Sequence, residues 1–98
     1  MIQKLSIIIP VFNESDTITT VLEKVNTVQL INNISKQIIV VDDHSSDNSL
    51  EAITQFKNKH PQTDINIVQQ KVNMGNVYAV RMGINVSTGD FIIIQDAD

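Results

Sequence analysis

Asp90-Phe91-Ile92-Ile93-Ile94-Gln95-Asp96-Ala97-Asp98 joins four consecutive apolar residues to two carboxylates placed two positions apart. The apolar run predicts a short buried strand. In extended chain a spacing of two projects both carboxylates to one face, at the point where the strand runs out. Like charges this close repel, and a shared cation relieves the repulsion. Oxygen-only ligands suit Mg²⁺ or Mn²⁺, which also accept phosphate oxygens and water. The same two acids also fit a solvated acidic loop, and the choice depends on what the rest of the chain places beside them.

The same form recurs upstream. Lys36-Gln37-Ile38-Ile39-Val40-Val41-Asp42-Asp43 is an aliphatic run ending in an acidic pair, and Leu5-Ser6-Ile7-Ile8-Ile9-Pro10-Val11-Phe12 leads into Asn13-Glu14. Runs without polar alternation predict parallel strands covered on both faces. Pro10 lacks an N–H and is expected to end regular pairing. Ile65-Asn66-Ile67-Val68-Gln69-Gln70 alternates weakly and predicts a third strand nearer an edge. Between the runs lie helical spacings: Ile18, Val21, Leu22, Val25 and Val28, then Leu50, Ile53 and Phe56. A third helix is expected from Gly75 to Val86, with Val77, Val80 and Ile84 on its core face. Ala79 and Gly83 would make a small-residue strip that lets it lie close to the sheet.

The order is β-α-β-α-β-α-β. Such alternation predicts an α/β fold, a Rossmann-like parallel sheet with right-handed crossovers and helices on both faces. Ligands of these sheets bind beyond the carboxyl ends of the strands. Pro10 to Glu14, Asp42-Asp43 and Asp96-Ala97-Asp98 all fall on that edge, so Pro10, Asp43 and Asp98 are expected to line one cleft.

Composition narrows the classes. The net charge of −4, with no cluster of basic residues, argues against nucleic acid as a partner. No cysteine is present, so no disulfide framework or thiolate metal site is possible. Polar residues follow the N-terminal Met too soon for a signal peptide, and no apolar run approaches the length of a membrane span. A cytoplasmic setting is expected, at a membrane face through parts of a parent chain. Because the chain ends directly after the last strand, it is expected to be one domain, residues 1–98, truncated at its C-terminus.

Pro10-Val11-Phe12-Asn13-Glu14, Val41-Asp42-Asp43-His44-Ser45-Ser46-Asp47, Asn73-Met74-Gly75 and Asp96-Ala97-Asp98 occur in the order of the family 2 glycosyltransferases. The sequence resembles the nucleotide-binding half of their GT-A domain across essentially its whole length, which implies strand order 3-2-1-4. Through Ala79-Val80-Arg81-x-Gly83 and Gly89-Asp90 it is most similar to the dolichol- and polyprenol-phosphate sugar transferases. The resemblance implies inverting, metal-dependent transfer of a sugar from a UDP- or GDP-linked donor to a polyprenyl phosphate or a glycan. It implies that Pro10 and Phe12 shape a slot for base and ribose, and that Glu14 accepts from ribose or base donors. Asp43 would accept from an N–H on the base edge while Asp42 holds the loop. Asp96 and Asp98 would hold Mg²⁺ or Mn²⁺ against the diphosphate. Three positions depart from the family pattern: Phe12 stands for a more frequent Tyr, His44 for Gly, and Asn76-Val77 for Lys-Gly. No catalytic base is assigned within the chain, which alone is expected to be inactive.

Simpler readings stand beside these. Asp42 and Asp43 could cap a helix, Glu14 could complement a helix N-terminus, and Asn73 with Gly75 fits a turn opening a helix. Arg81 reads as a solvated helix residue. His44 and His60 have no metal-ligand spacing and read as surface residues. Two rivals from other classes are a Mg²⁺-binding phospho-receiver domain and a sugar-nucleotide-binding module without catalysis.

Overall fold

The computed structural model describes residues 3–98. Four parallel strands, β1 (Lys4–Val11), β2 (Ser35–Asp42), β3 (Ile65–Gln69) and β4 (Phe91–Ile94), form one sheet in the order β3-β2-β1-β4. Helices α1 (Ile18–Thr27), α2 (Ser49–Lys59) and α3 (Asn76–Val86) are the crossovers. The predicted element order and strand order are both found.

Strand alternation divides the core in two. Ile7, Ile9, Val11, Ile38, Val40 and Ile65 face α1 and α2, where Ile18, Leu22, Ile53 and Phe56 complete the layer. Ile8, Ile39 and Val41 face α3 and meet Ala79. β1 and β2 are thus apolar on both faces because each face has a helix over it.

α3 uses a different face from the one expected. Ala79 and Gly83 are its buried residues, whereas Val77 is 69% and Ile84 44% exposed. Val80 is half-buried. The small-residue strip decides the outcome: a Cβ on Gly83 would stand 2.5 Å from Ile8 Cγ2, so only that strip allows the helix this near the sheet. The larger apolar residues are left outside.

Two strand expectations meet a different outcome. Within this chain β4 pairs with β1 alone and its four residues are exposed rather than buried, and α3 packs over β1 and β2. Pro10 does not end pairing altogether: it lies inside β1, and the ladder with β2 continues through Val11↔Asp42. On the β4 side pairing stops at Ile8↔Ile94, where the Gln95 N–H donates to the Ile8 carbonyl at 2.8 Å. The next β1 donor toward β4 in a parallel ladder would be residue 10, which has no N–H. The proline is a one-sided stop.

At the amino end of the sheet, polar groups close the structure. Buried Ser6 donates its hydroxyl to Gln37 Oε1 at 2.7 Å, and the same oxygen takes the Thr88 N–H at 2.9 Å. The Gly89 N–H donates to Ser6 Oγ at 2.8 Å. Asp90 Oδ2 accepts the Gln3 and Lys4 N–H groups at 2.8 and 3.0 Å. Those two backbone donors, Gln3 first, hold the Asp90 carboxyl below its usual range. Lys36 Nζ reaches from β2 to the Val25 and Asn26 carbonyls at 2.8 and 2.7 Å and to that of Val28, capping the C-terminal turn of α1. Burial lowers the Lys36 pKa. Among the described residues no helix is long and apolar enough to cross a membrane.

Candidate functional site

The loops at the carboxyl ends of β1 and β2 are stitched together by short polar side chains. Asn13 takes φ +54°, a left-handed conformation that Asn tolerates. Its Oδ1 accepts the Ser46 N–H at 2.8 Å and the Asp47 N–H at 3.3 Å. In return the Asn13 N–H donates to Ser45 Oγ at 3.0 Å and the Glu14 N–H to Ser49 Oγ at 2.8 Å. Asp42 accepts the Ser45 hydroxyl at 2.6 Å, which is the loop-holding role expected of it. His44 takes φ +60°, so the loop keeps a left-handed residue although the family's Gly is absent. Slight burial raises the Asp47 carboxyl pKa, but hydrogen bonds from the hydroxyls and N–H groups of Ser49 and Ser15 outweigh it. The pKa falls from 3.8 to about 2.

Beside this seam is a cavity of about 230 Å³ lined by Pro10, Val11, Phe12, Asp43, Asn73, Gly75, Asn76 and Ala79. Phe12, 48% exposed, presents a ring at its mouth. Asp43 is buried, and its carboxylate already holds three donors. Oδ1 accepts the Met74 N–H at 2.7 Å, while Oδ2 accepts the Gly75 N–H at 2.8 Å and Asn73 Nδ2 at 3.1 Å. Gly75 has φ +94°, where a side chain would be strained. Asn73 and Gly75 are thus the turn that opens α3, as read, and Asp43 fixes it.

The remaining expected residues sit elsewhere. Glu14 does not line the cavity: its backbone carbonyl accepts the Thr17 and Ile18 N–H groups at 3.1 and 2.9 Å, starting α1. Its Oε2 lies 3.4 Å from the Thr17 hydroxyl. Asp96 and Asp98 are exposed on either side of buried Ala97. The Thr17 hydroxyl donates to the Ala97 carbonyl at 2.7 Å, and the Ala97 side chain joins the α1–α2 side of the core. Asp98 consequently lines a second cavity with Val21, Lys24, Val25, Val28 and Gln95. The expectation of one cleft shared by Pro10, Asp43 and Asp98 is not met, because Thr17 and Ala97 draw the terminal stretch toward α1. Among the described residues no three His, Cys, Asp or Glu side chains gather as a metal cage. Arg81 is exposed. His60 is half-buried rather than on the surface, its ring stacked on Phe56 at 4.0 Å between centroids and Nδ1 2.8 Å from the Phe56 carbonyl. Sequence reading assigned no role to the hydroxyls of Ser45, Ser49 and Thr17, which bind the loops. It also passed over Gln70, buried beside Asp43.

Parallel strands, loops converging beyond their carboxyl ends and an acid-bearing cavity define an α/β domain of the Rossmann-like kind. The chain belongs to glycosyl transferase family 2, whose model matches residues 6–98. It is 39% identical over 97 residues to the undecaprenyl-phosphate 4-deoxy-4-formamido-L-arabinose transferase of Yersinia enterocolitica, and 37% identical to that of Yersinia pestis. These matches cover 99% of the chain and 29% of each relative, so it spans under a third of their length. Among solved structures, a mannosyltransferase from Pyrobaculum calidifontis in complex with GDP-Man and Mn²⁺ shares the fold at TM-score 0.89 and 24% identity, over 96% of this chain and 27% of that one. S. aureus TarS in complex with UDP-GlcNAc matches at TM-score 0.85 and 25% identity, over 98% and 27%. Family membership sets the phospho-receiver reading aside.

Proposed function

We propose that this chain is the donor-binding half of a glycosyltransferase that moves a sugar from a nucleoside diphosphate, with inversion, to a polyprenyl phosphate. The observation that carries the reading is the cavity where Pro10, Phe12 and Asp43 converge beyond the sheet's carboxyl edge. Phe12 and Pro10 offer stacking area to a base and ribose. A carboxylate has about four lone-pair positions; three are taken at Asp43, which leaves roughly one for an N–H of the base. The nucleotides in the solved relatives and the lipid phosphate in the sequence relatives' names support the substrate classes. Glu14 would accept from a ribose hydroxyl once the nucleotide orders its side chain.

Asp96 and Asp98 fit a divalent ion of the Mg²⁺ or Mn²⁺ type. Both are exposed oxygen donors at the end of β4, and such ions take one or two carboxylates and complete their shell with substrate phosphate and water. When bound, the ion offsets charge building on the departing diphosphate. An ionised lipid phosphate is already a nucleophile and needs no protein base.

Thermal unfolding of this chain with UDP, GDP and ADP, each with and without Mn²⁺, tests the reading. One nucleotide is expected to raise the midpoint only with Mn²⁺, and Asp98→Ala should remove the gain. No shift with any nucleotide would refute the donor site. A shift indifferent to Mn²⁺ would refute the metal arrangement alone.

A further inference from the structure

Thr17 occupies the N-cap of α1, where a threonine hydroxyl ordinarily accepts one of the free N–H groups of the first turn. Here it makes no capping bond. The hydroxyl instead donates to the Ala97 carbonyl, eighty positions away, at 2.7 Å. Glu14 Oε2 lies 3.4 Å from the same hydroxyl, but one proton serves one acceptor and the shorter contact takes it. Thr17 is itself fixed by its N–H, which donates to the Glu14 carbonyl at 3.1 Å.

The acceptor stands between two carboxylates. β4 ends at Ile94, and the Gln95 N–H still donates to the Ile8 carbonyl. Beyond that point, among the described residues, Thr17 gives the one hydrogen bond that reaches residues 96–98 from another element. Ala97 is 5% exposed, with its methyl group set in the α1–α2 layer of the core. One residue is thus held at both its side chain and its carbonyl, while its neighbours Asp96 and Asp98 are exposed. In extended chain, side chains two positions apart share a face, and a backbone free to turn about residue 97 would lose that alignment. We infer that Thr17 is a positioning residue for a divalent ion. Through the Ala97 carbonyl it keeps Asp96 and Asp98 directed at one ion, as the hydrogen-bonded groups behind metal ligands do. The inference rests on the proposed metal arrangement.

The test titrates Mn²⁺ into this chain in the presence of UDP and of GDP, with free and bound ion followed by electron paramagnetic resonance. Thr17→Val keeps the side-chain shape and removes the hydroxyl, and it is expected to weaken Mn²⁺ binding about tenfold or more. Thr17→Ser, which restores the donor, should return the affinity to near the wild-type value, a recovery that repair of packing alone would not give. Thr17→Ala takes the place of Thr17→Val if that variant does not fold. Wild-type Mn²⁺ affinity without the hydroxyl, or equal weakness in Thr17→Ser and Thr17→Val, would overturn the inference, and the metal arrangement would stand so long as Asp98→Ala abolishes binding. If Asp98→Ala holds Mn²⁺ as tightly as the wild type, or the wild type holds none, the metal arrangement falls and the role of Thr17 falls with it.

Discussion

The two ends of the sheet handle their polar groups differently. At the amino end, Ser6, Gln37, Thr88 and Gly89 satisfy one another and Asp90 accepts the Gln3 and Lys4 N–H groups, while the left-handed residues there, Asn32 and Asn33, lie in the connection ahead of β2. At the carboxyl end, Asn13, His44 and Gly75 all take positive φ, Phe12 is half exposed, and Gln70 holds an unanswered donor. Both ends hold left-handed residues, but among the described residues only the carboxyl end leaves a buried side-chain donor unpaired, and it lies in the same loop region as the cavity of Pro10, Phe12 and Asp43. A buried polar group left unpaired beside a cavity-bearing edge, rather than left-handed backbone alone, is what sets the carboxyl end apart.

Substitutions that separate the ends should follow this division. The largest loss is expected from Asp43→Ala, about 3 kcal/mol, because three donors of the 73–75 turn lose a charged acceptor at once. Urea unfolding measures it, and a loss under 1 kcal/mol would show that the turn stands without Asp43. Gly89→Ala, at the amino end, should cost about 2 kcal/mol, since its Cβ would meet Ser6 Oγ at 2.5 Å and the Ser6 nitrogen at 2.7 Å. Nucleotide affinity should be untouched there; a lower affinity would mean that the two ends are coupled. For Gly83→Ala, crowding against Ile8 is partly offset by better helix propensity, leaving a net loss of about 1 kcal/mol. A more stable variant would contradict the close approach of α3.

His44→Gly should work in the opposite direction, gaining about 0.5 kcal/mol as relief of left-handed strain outweighs the added chain entropy. A clear loss would mean that the imidazole makes a contact worth more than the strain. The smallest effect is on acid stability. Asp47 and Asp90 have folded pKa values below their unfolded ones, so their stabilisation is complete above the ordinary carboxylate value of 3.8 and is lost as pH falls through the folded values, about 2 for Asp47. Asp47→Asn and Asp90→Asn should each flatten the fall in unfolding midpoint over that range. Unchanged acid limbs would argue that these surface hydrogen bonds persist in the unfolded chain.

The parallel sheet was legible because four aliphatic runs alternate with helical spacings, and the family resemblance supplied its strand order. The cavity followed from Pro10, Phe12 and Asp43 lying at strand ends. What misled was the assumption that apolar means buried. Val77 and Ile84 outweigh Ala79 and Gly83 in hydrophobicity, yet distance to Ile8 chose the smaller pair. Glu14 and Asp98 were placed by strand position alone, and the hydrogen bond from Thr17 to Ala97, eighty residues away, has no local signature. Gln70 was invisible for a related reason: a glutamine ending an alternating strand looks solvated until register sets it beside Asp43.

Pro10 also bears on how the chain comes to be folded. β1 is made first, and β2 covers one of its edges about thirty residues later; β4, which covers the other, is synthesised last. At 5–20 residues per second, the second edge waits roughly 2–10 s after β2 is complete. An open strand edge over that interval is a template for other nascent chains. A proline at the end of that edge removes a donor such a neighbour would need, while leaving the β2 ladder intact. The residue that shapes the cavity in the finished protein thus also guards the unfinished one against mispairing.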